Sequence, residues 1–322
     1  MSSFFPPSID EHGYWQRLYK QPIAFWQSAL DSIRHRHQLP SGAWERSAFG
    51  KNVVFTLGAV VVKLSPPFWV DDLRNEAAIL RFVAHRLPVA TPELLADGEL
   101  EAWGYLVLSR LPGEPLRLRW PLLAPSEKAV LAPQQGALMA ALHALPTHDA
   151  PTRLVYDWTA RLAEQMAICE PAMRRSGVQA PLLAEIGRYL AQAQPLLLAE
   201  TERVLLHGDL DAGNLLVEHQ SGQWRISGLF DWGDGWLGPR THDFISPGVH
   251  RLGGDPESLQ AWYAGYGLAP EQRTRQLQHT VMARAMLHYA DEWARMMARV
   301  PGADSCRDWF ELADCFWHMT IP

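Results

Sequence analysis

Leu205-Leu206-His207-Gly208-Asp209-Leu210-Asp211-Ala212-Gly213-Asn214-Leu215-Leu216, followed by Gly228-Leu229-Phe230-Asp231-Trp232, is the stretch that decides how this chain is read. Two apolar runs each end in a carboxylate, with a polar turn and an asparagine between them. The pattern predicts a loop that holds acidic groups where two strands end. The order His207, Asp209, Asn214, Asp231 suits phosphoryl transfer, in which one aspartate takes a hydroxyl proton while an amide oxygen and a second carboxylate hold divalent metal on nucleotide phosphates. On that reading Asp209 is the base. Asn214 and Asp231 are the ligands of Mg²⁺, which prefers such hard oxygen donors and keeps water and phosphate oxygens in the rest of its octahedron. His207 is expected to support the loop rather than to react, Asp211 and Asp234 read as solvated although each sits where an acceptor could bind, and Asp243 is placed to cap the backbone amides of the loop from behind.

Working upstream, Val53-Val54-Phe55-Thr56-Leu57-Gly58-Ala59-Val60-Val61-Val62-Lys63-Leu64 reads as a β-hairpin whose second strand ends near Lys63. Glu76 lies in a helical pattern from Asp71 to Val83 with Leu73, Ala77, Leu80 and Val83 on one side. A strand lysine followed by a helix glutamate is the ion pair that orients a lysine onto nucleotide phosphates. Taken alone, Lys63 and Glu76 read more simply as two surface charges. Two further strands are expected over Glu93–Gly98 and Gly104–Gly113, the second ending in Pro112-Gly113. There the Ser109 carbonyl and the Leu111 amide could meet the edge of an adenine ring, although an ordinary crossover would give the same pattern.

The chain before the hairpin, from Ile9 to Leu39, has helical spacing with a break near Pro22 and is read as a packing extension. Beyond Pro112 the character is helical. Helices are expected over Gln134–Leu145, Tyr156–Ile168, Leu182–Glu200, Leu259–Tyr266, Thr280–Arg299 and Asp308–His318, and a hairpin turns at Gln220-Ser221-Gly222. The expected division is therefore 1–111, a helical extension with a β-rich nucleotide-binding lobe, and 112–322, a helical catalytic and substrate-binding lobe.

With 322 residues, 48% of them hydrophobic, the chain can bury a substantial core. A net charge of −6 argues against a nucleic-acid binder and fits a cationic or neutral partner. Cys169, Cys306 and Cys315 are widely spaced, without a zinc-binding pattern. The first residues lack the basic and apolar regions of a signal peptide, and no apolar run reaches membrane-spanning length, so a cytoplasmic, membrane-free protein is expected.

In these motifs the sequence resembles the aminoglycoside phosphotransferase family, from about Ala43 to His250 and most strongly at Leu206–Leu216 and Leu229–Trp232. Its helical extension, Val62-Lys63-Leu64 and Tyr105–Leu111 are similar to hygromycin B phosphotransferases. The resemblance implies an α+β, two-lobed protein-kinase-like fold, with a small, mainly antiparallel β N-lobe and a larger helical C-lobe. It implies ATP and Mg²⁺ as cofactors, Asp209 as base, Asn214 and Asp231 as metal ligands, Lys63 and Glu76 as the phosphate-orienting pair, and Ser109 to Leu111 as the adenine hinge. The sequence departs from the family at two points. The loop Ser47–Asn52 has a single glycine, and Gly238-Pro239-Arg240-Thr241-His242-Asp243 replaces the usual Gly-Asp-Pro-like run.

The expected reaction is transfer of the γ-phosphate to a hydroxyl of a cationic aminoglycoside. The competing readings are a kinase of another alcohol, such as choline, homoserine or a sugar, and a nucleotide-binding module without turnover. For an aminocyclitol, carboxylates among Asp291, Glu292, Asp308, Glu311 and Asp314 would have to converge; on solvated helices they would carry no such meaning.

Overall fold

The computed structural model describes residues 4–6, 8–47, 50–250 and 252–319. The chain divides into two compact units. One takes the residues up to His85, then Ala90–Pro112 and the late segment Leu229–Asp234; the other takes Arg86–Val89, Gly113–Gly228 and everything from Gly235 onward. The short passage containing Asp231 thus belongs with the β-rich unit although it lies far downstream in sequence.

In the first unit an antiparallel sheet runs in the order β1 (Glu45–Arg46), β2 (Val53–Leu57), β3 (Val60–Ser65), β5 (Trp103–Ser109), β4 (Leu94–Leu100). Its β-branched and aromatic positions alternate between core and surface on β2, as a half-buried strand requires. Lys63 pairs with Val54 on one side and with Leu106 on the other, which fixes its height in the sheet. The helix Ile23–Arg36 buries Trp26, Ala29, Leu30 and Ile33 at helical spacing. These residues join an aromatic core in which Phe5 stacks on Trp103 at 4.5 Å and Trp26 meets Trp103 edge-on at 5.6 Å. Such rings contribute about 2 kcal/mol each by burial alone. The helix Val70–Val83 buries Leu73, Ala77, Leu80 and Val83, and on the same element Glu76.

The second unit is mainly helical, with Pro125–His143, Trp158–Ser176, Ala180–Ala199, Pro256–Tyr266, Arg275–His288 and Trp309–Trp317 as its longer helices. Pro125–His143 continues upstream through Pro133, where the sequence pattern begins only at Gln134. It crosses Pro256–Tyr266 very closely: a side chain at Gly136 would overlap the carbonyl of Trp262, and one at Gly265 that of Pro133. This approach brings the helix ends together, so that His143 hydrogen-bonds the Tyr266 hydroxyl at 2.9 Å. The expected helix over 280–299 is two helices, Arg275–His288 and Trp293–Met297, separated by a turn at Ala290–Glu292. Among the described residues no helix is long and apolar enough to cross a membrane.

Candidate active site

The loop around Asp209 is built on a buried two-stranded ribbon. Val204–Leu205 pairs with Leu237–Gly238, and the Leu206 amide donates to the Trp236 carbonyl at 2.8 Å. Gly208 then adopts φ +81°, a left-handed conformation that a residue with a side chain reaches only at a cost. The two amides exposed by this turn, those of His207 and Gly208, donate to the two oxygens of the Asp243 carboxylate, each at 2.9 Å. Asp243 is 2% exposed, and its Oδ2 also lies 3.1 Å from His143 Nε2. Burial alone would raise its pKa, but the hydrogen bond and charge of His143, with help from His242 and the His207 amide, leave it below the ordinary carboxylate value. A charged Asp243 is therefore the clamp of the loop.

His207 is fully buried and its Nδ1 accepts the Asp209 amide at 3.3 Å, so its ring lies within the loop as a brace. The Asp209 side chain is partly exposed, and its Oδ2 accepts from Asn214 Nδ2 at 3.0 Å. The same Nδ2 donates to the Asp209 carbonyl at 2.7 Å, so the asparagine is pinned with its amide oxygen as the remaining donor atom for a cation. Asp211 accepts the Gly213 amide and shapes the turn between them.

In the other unit, Lys63 and Glu76 are buried and form an ion pair at 2.5 Å. Lys63 Nζ also reaches Asp231 Oδ1 at 2.6 Å. Burial opposes the lysine charge, yet Asp231 and Glu76 together outweigh it and raise its pKa above the usual lysine value. Burial pushes Glu76 upward, against the pull of Lys63 and of the Trp232 amide. Asp231 has φ +67°, so a left-handed residue directs this carboxylate. Asn214 and Asp231 both present hard oxygen atoms, the donor chemistry that Mg²⁺ takes.

At the end of β5, Ser109 donates its amide to the Glu93 carbonyl and accepts the Glu93 amide on its hydroxyl, and the Arg110 amide donates to the Ala59 carbonyl. No protein acceptor is found for the Leu111 amide among the described residues. Of the loop Ser47–Asn52, Ala48 and Phe49 lie outside the described residues. Its remaining backbone is tied to the extension by the Tyr19 hydroxyl on the Gly50 carbonyl at 2.7 Å and the Tyr14 hydroxyl on that of Lys51 at 2.6 Å.

Three groups went unnoticed in the sequence. Lys51 pairs with Asp72 at 2.9 Å and Asp234 at 3.3 Å; burial lowers its pKa, but Asp234 and Asp72 more than reverse the effect. His250 lies 3.8 Å from Asp209 and 3.7 Å from Asp211, with the Tyr289 hydroxyl at 3.2 Å. His143, near the end of the helix Pro125–His143, is the partner of Asp243. A lysine directly after the loop glycine was the one available signal for the first. The carboxylates expected to gather around an aminocyclitol are instead occupied separately: Asp291 by Arg175, Glu292 by Arg295, Glu311 by Arg307, Asp314 by Gln278, and Asp308 by the amides of Phe310 and Glu311.

Residues 49–279 match the sequence profile of the phosphotransferase enzyme family. A viomycin phosphotransferase of Streptomyces vinaceus is 29% identical over 189 residues, which cover 56% of this chain and 63% of that protein. The matched part thus spans less than two thirds of this relative's length. The GDP complex of aminoglycoside 2'-phosphotransferase-IIIa shares the fold with a TM-score of 0.66 at 18% identity, over 89% of this chain and 97% of its own. A macrolide 2'-phosphotransferase from Brachybacterium faecium does so with a TM-score of 0.53 at 20% identity, over 90% and 98%. The fold is accordingly the α+β arrangement of a β-rich and a helical lobe found in aminoglycoside phosphotransferases.

Proposed function

The chain belongs to the phosphotransferase enzyme family, and from that premise we propose that it moves the γ-phosphate of ATP to a hydroxyl of an aminoglycoside-type antibiotic, hygromycin B being the first acceptor to test. The observation that carries this reading is the clamped loop: the buried Asp243 carboxylate holds the amides of His207 and Gly208, and Asp209 stands immediately after them with its carboxylate on Asn214. Phosphoryl transfer asks for positioning and charge neutralisation more than for covalent chemistry, and a loop braced in this way keeps a base in place. Asp209 takes the acceptor proton, a contribution of about 10²–10⁴ in rate. Asn214 and Asp231 would hold Mg²⁺, whose chemistry when bound is to neutralise phosphate charge. Lys63, oriented by Glu76, binds the α- and β-phosphates, and Ser109 with Leu111 receives the adenine edge.

The activities for which these relatives are named, on viomycin, aminoglycosides and macrolides, support an antibiotic as acceptor. The separate engagement of the C-terminal carboxylates favours keeping a second reading, phosphorylation of another small alcohol such as choline, homoserine or a sugar. The test is ADP release with ATP and Mg²⁺ against hygromycin B, kanamycin, viomycin, a macrolide, choline and homoserine, with the phosphorylated product identified by mass spectrometry. Turnover with an antibiotic that disappears in Asp209→Ala supports the proposal. Turnover with choline or homoserine alone moves it to the second reading, and nucleotide binding without turnover on any acceptor leaves only a binding module.

A further inference from the structure

The helix Val70–Val83 carries two carboxylates one turn apart, Asp72 and Glu76, at the spacing that places side chains on one face. The late segment of the same compact unit carries two more, Asp231 and Asp234. A lysine bridges each to its counterpart on the helix. Lys63 Nζ lies 2.5 Å from Glu76 and 2.6 Å from Asp231, and Lys51 Nζ lies 2.9 Å from Asp72 and 3.3 Å from Asp234. Between the two bridges the backbone itself touches the helix, since a side-chain carbon at Gly233 would sit 3.8 Å from the Asp72 carbonyl oxygen. The segment 231–234 is thus fastened to the helix twice.

The two bridges differ in the demands that nucleotide makes on them. The Lys63 ammonium is the one that the phosphotransfer reading gives to the α- and β-phosphates, and a shared ammonium holds Asp231 less firmly. Asp231 has φ +67°, a left-handed conformation that persists only where the surroundings enforce it. Lys51 supplies a hold that does not depend on Lys63. Its own backbone is anchored, because the Tyr14 hydroxyl donates to the Lys51 carbonyl at 2.6 Å and the Tyr19 hydroxyl to that of Gly50 at 2.7 Å. Its ammonium also stands 5.9 Å from the centre of the Trp69 ring. The Lys51, Asp72 and Asp234 side chains are 33%, 30% and 51% exposed, and ion pairs this open to water add little to stability. What the bridge can supply is position.

We propose that Lys51 is a positioning residue for Asp231 as a metal ligand: by holding Asp234 on Asp72 it keeps the Asp231 carboxylate in place while Lys63 is engaged by phosphate. The inference rests on the phosphotransfer reading. Its test is calorimetric titration of ADP into the full chain, with no Mg²⁺ and over a series of Mg²⁺ concentrations. Lys51→Met should need about fivefold more Mg²⁺ for the same gain in ADP affinity, the factor that corresponds to the upper end for an exposed ion pair. Its affinity for ADP without Mg²⁺ and its melting temperature should match wild type. Lys51→Arg, which can still reach both carboxylates, should restore the wild-type Mg²⁺ requirement. Asp234→Asn should behave as Lys51→Met does, and the double variant should be no worse than either, as two residues acting through one contact require. Weaker ADP binding in Lys51→Met without Mg²⁺ would place Lys51 on the phosphates and overturn the proposal. An unchanged Mg²⁺ requirement in Lys51→Met overturns it too, as does a lowered melting temperature, which would make the bridge structural. Wild-type ADP binding that is indifferent to Mg²⁺ would instead remove Asp231 as a metal ligand, and the proposal with it.

Discussion

Lys63 Nζ and Asp231 Oδ1 lie 2.6 Å apart although 168 positions separate them in sequence. The contact joins a central strand of the sheet to a short late segment of the chain within one compact unit. Glu76 on the neighbouring helix completes a group of two carboxylates around one ammonium. Such a group is costly to assemble and more costly to break at the lysine, because removing Lys63 leaves the buried Glu76 carboxylate uncompensated.

Lys63→Ala is therefore expected to lose stability by about 3–5 kcal/mol, the usual consequence of removing one member of a buried pair. Lys63→Ala with Glu76→Gln together should recover part of that loss, because the orphaned carboxylate is gone. Urea unfolding of the three proteins measures both effects. Equal midpoints for wild type and Lys63→Ala would contradict the buried pair. Weaker ATP binding in Lys63→Ala is the separate functional expectation, read by nucleotide titration.

Asp243→Asn replaces a doubly accepting carboxylate with a group that has one acceptor face and one donor face. One of the amides of His207 and Gly208 is then left opposite an NH₂ group, and His143 loses its anionic partner. A stability loss of about 2–3 kcal/mol follows from a buried unpaired donor. Turnover should fall with KM for ATP little changed, since Asp243 touches the loop and not Lys63. The pH dependence has a definite sign. The folded pKa of Asp243 lies below its ordinary value of 3.8, so its contribution is complete above that pH and is lost as acidification proceeds through the lower folded value. Acid unfolding that is identical in wild type and Asp243→Asn would remove the clamp from the account.

The strand lysine, the helix glutamate and the two carboxylate-ended runs were legible because each sits in a local pattern: β-branched alternation, a helical apolar stripe, a turn with asparagine. What closes the loop was legible only in part: Asp243 was expected behind it, capping its amides, but the histidine that pairs with Asp243 was not. Asp243 and its partner His143 are 100 positions apart, and no local pattern links them. Asp231 reaches Lys63 through a left-handed backbone conformation that an aspartate in a sequence does not announce. The segment over 280–299 keeps helical periodicity through Ala290-Asp291-Glu292, with no glycine or proline to mark a break, yet the helix stops at His288 and the Tyr289 hydroxyl is spent on His250.

His242 gives a second pH-dependent expectation at milder acidity. Its ring is buried against Trp158 at 5.4 Å and His288 at 4.9 Å, and burial, followed by the charge of His288, holds its pKa well below 6.5 in spite of Asp243. Arg284 and Arg161 press in the same direction. The unfolded chain therefore takes up a proton that the folded chain refuses once the pH falls below about 6.5. Stability is complete above that pH and declines on acidification by at most about 1.4 kcal/mol per pH unit from this group. His242→Phe keeps the ring contacts and removes the proton site, so its stability between roughly pH 6.5 and 5 should be flatter than that of wild type. Chemical unfolding across that interval compares them, and parallel curves would assign the acid sensitivity to other histidines.

Asp209 separates function from stability most cleanly. Its side chain is 42% exposed and its Oδ2 accepts from Asn214, an interaction near the surface and worth about 1 kcal/mol. Asp209→Asn keeps an oxygen that Asn214 can donate to, so its melting temperature should stay close to that of wild type. As a base, however, an amide is useless, and turnover on the best acceptor is expected to fall by about 10²–10⁴ with KM for ATP preserved. His250, 3.8 Å from the same carboxylate, remains in place in that variant and gives an internal control. If Asp209→Asn kept most of its turnover, the proton would have to leave through another group, and His250 and Asp211 are the titratable side chains gathered beside it.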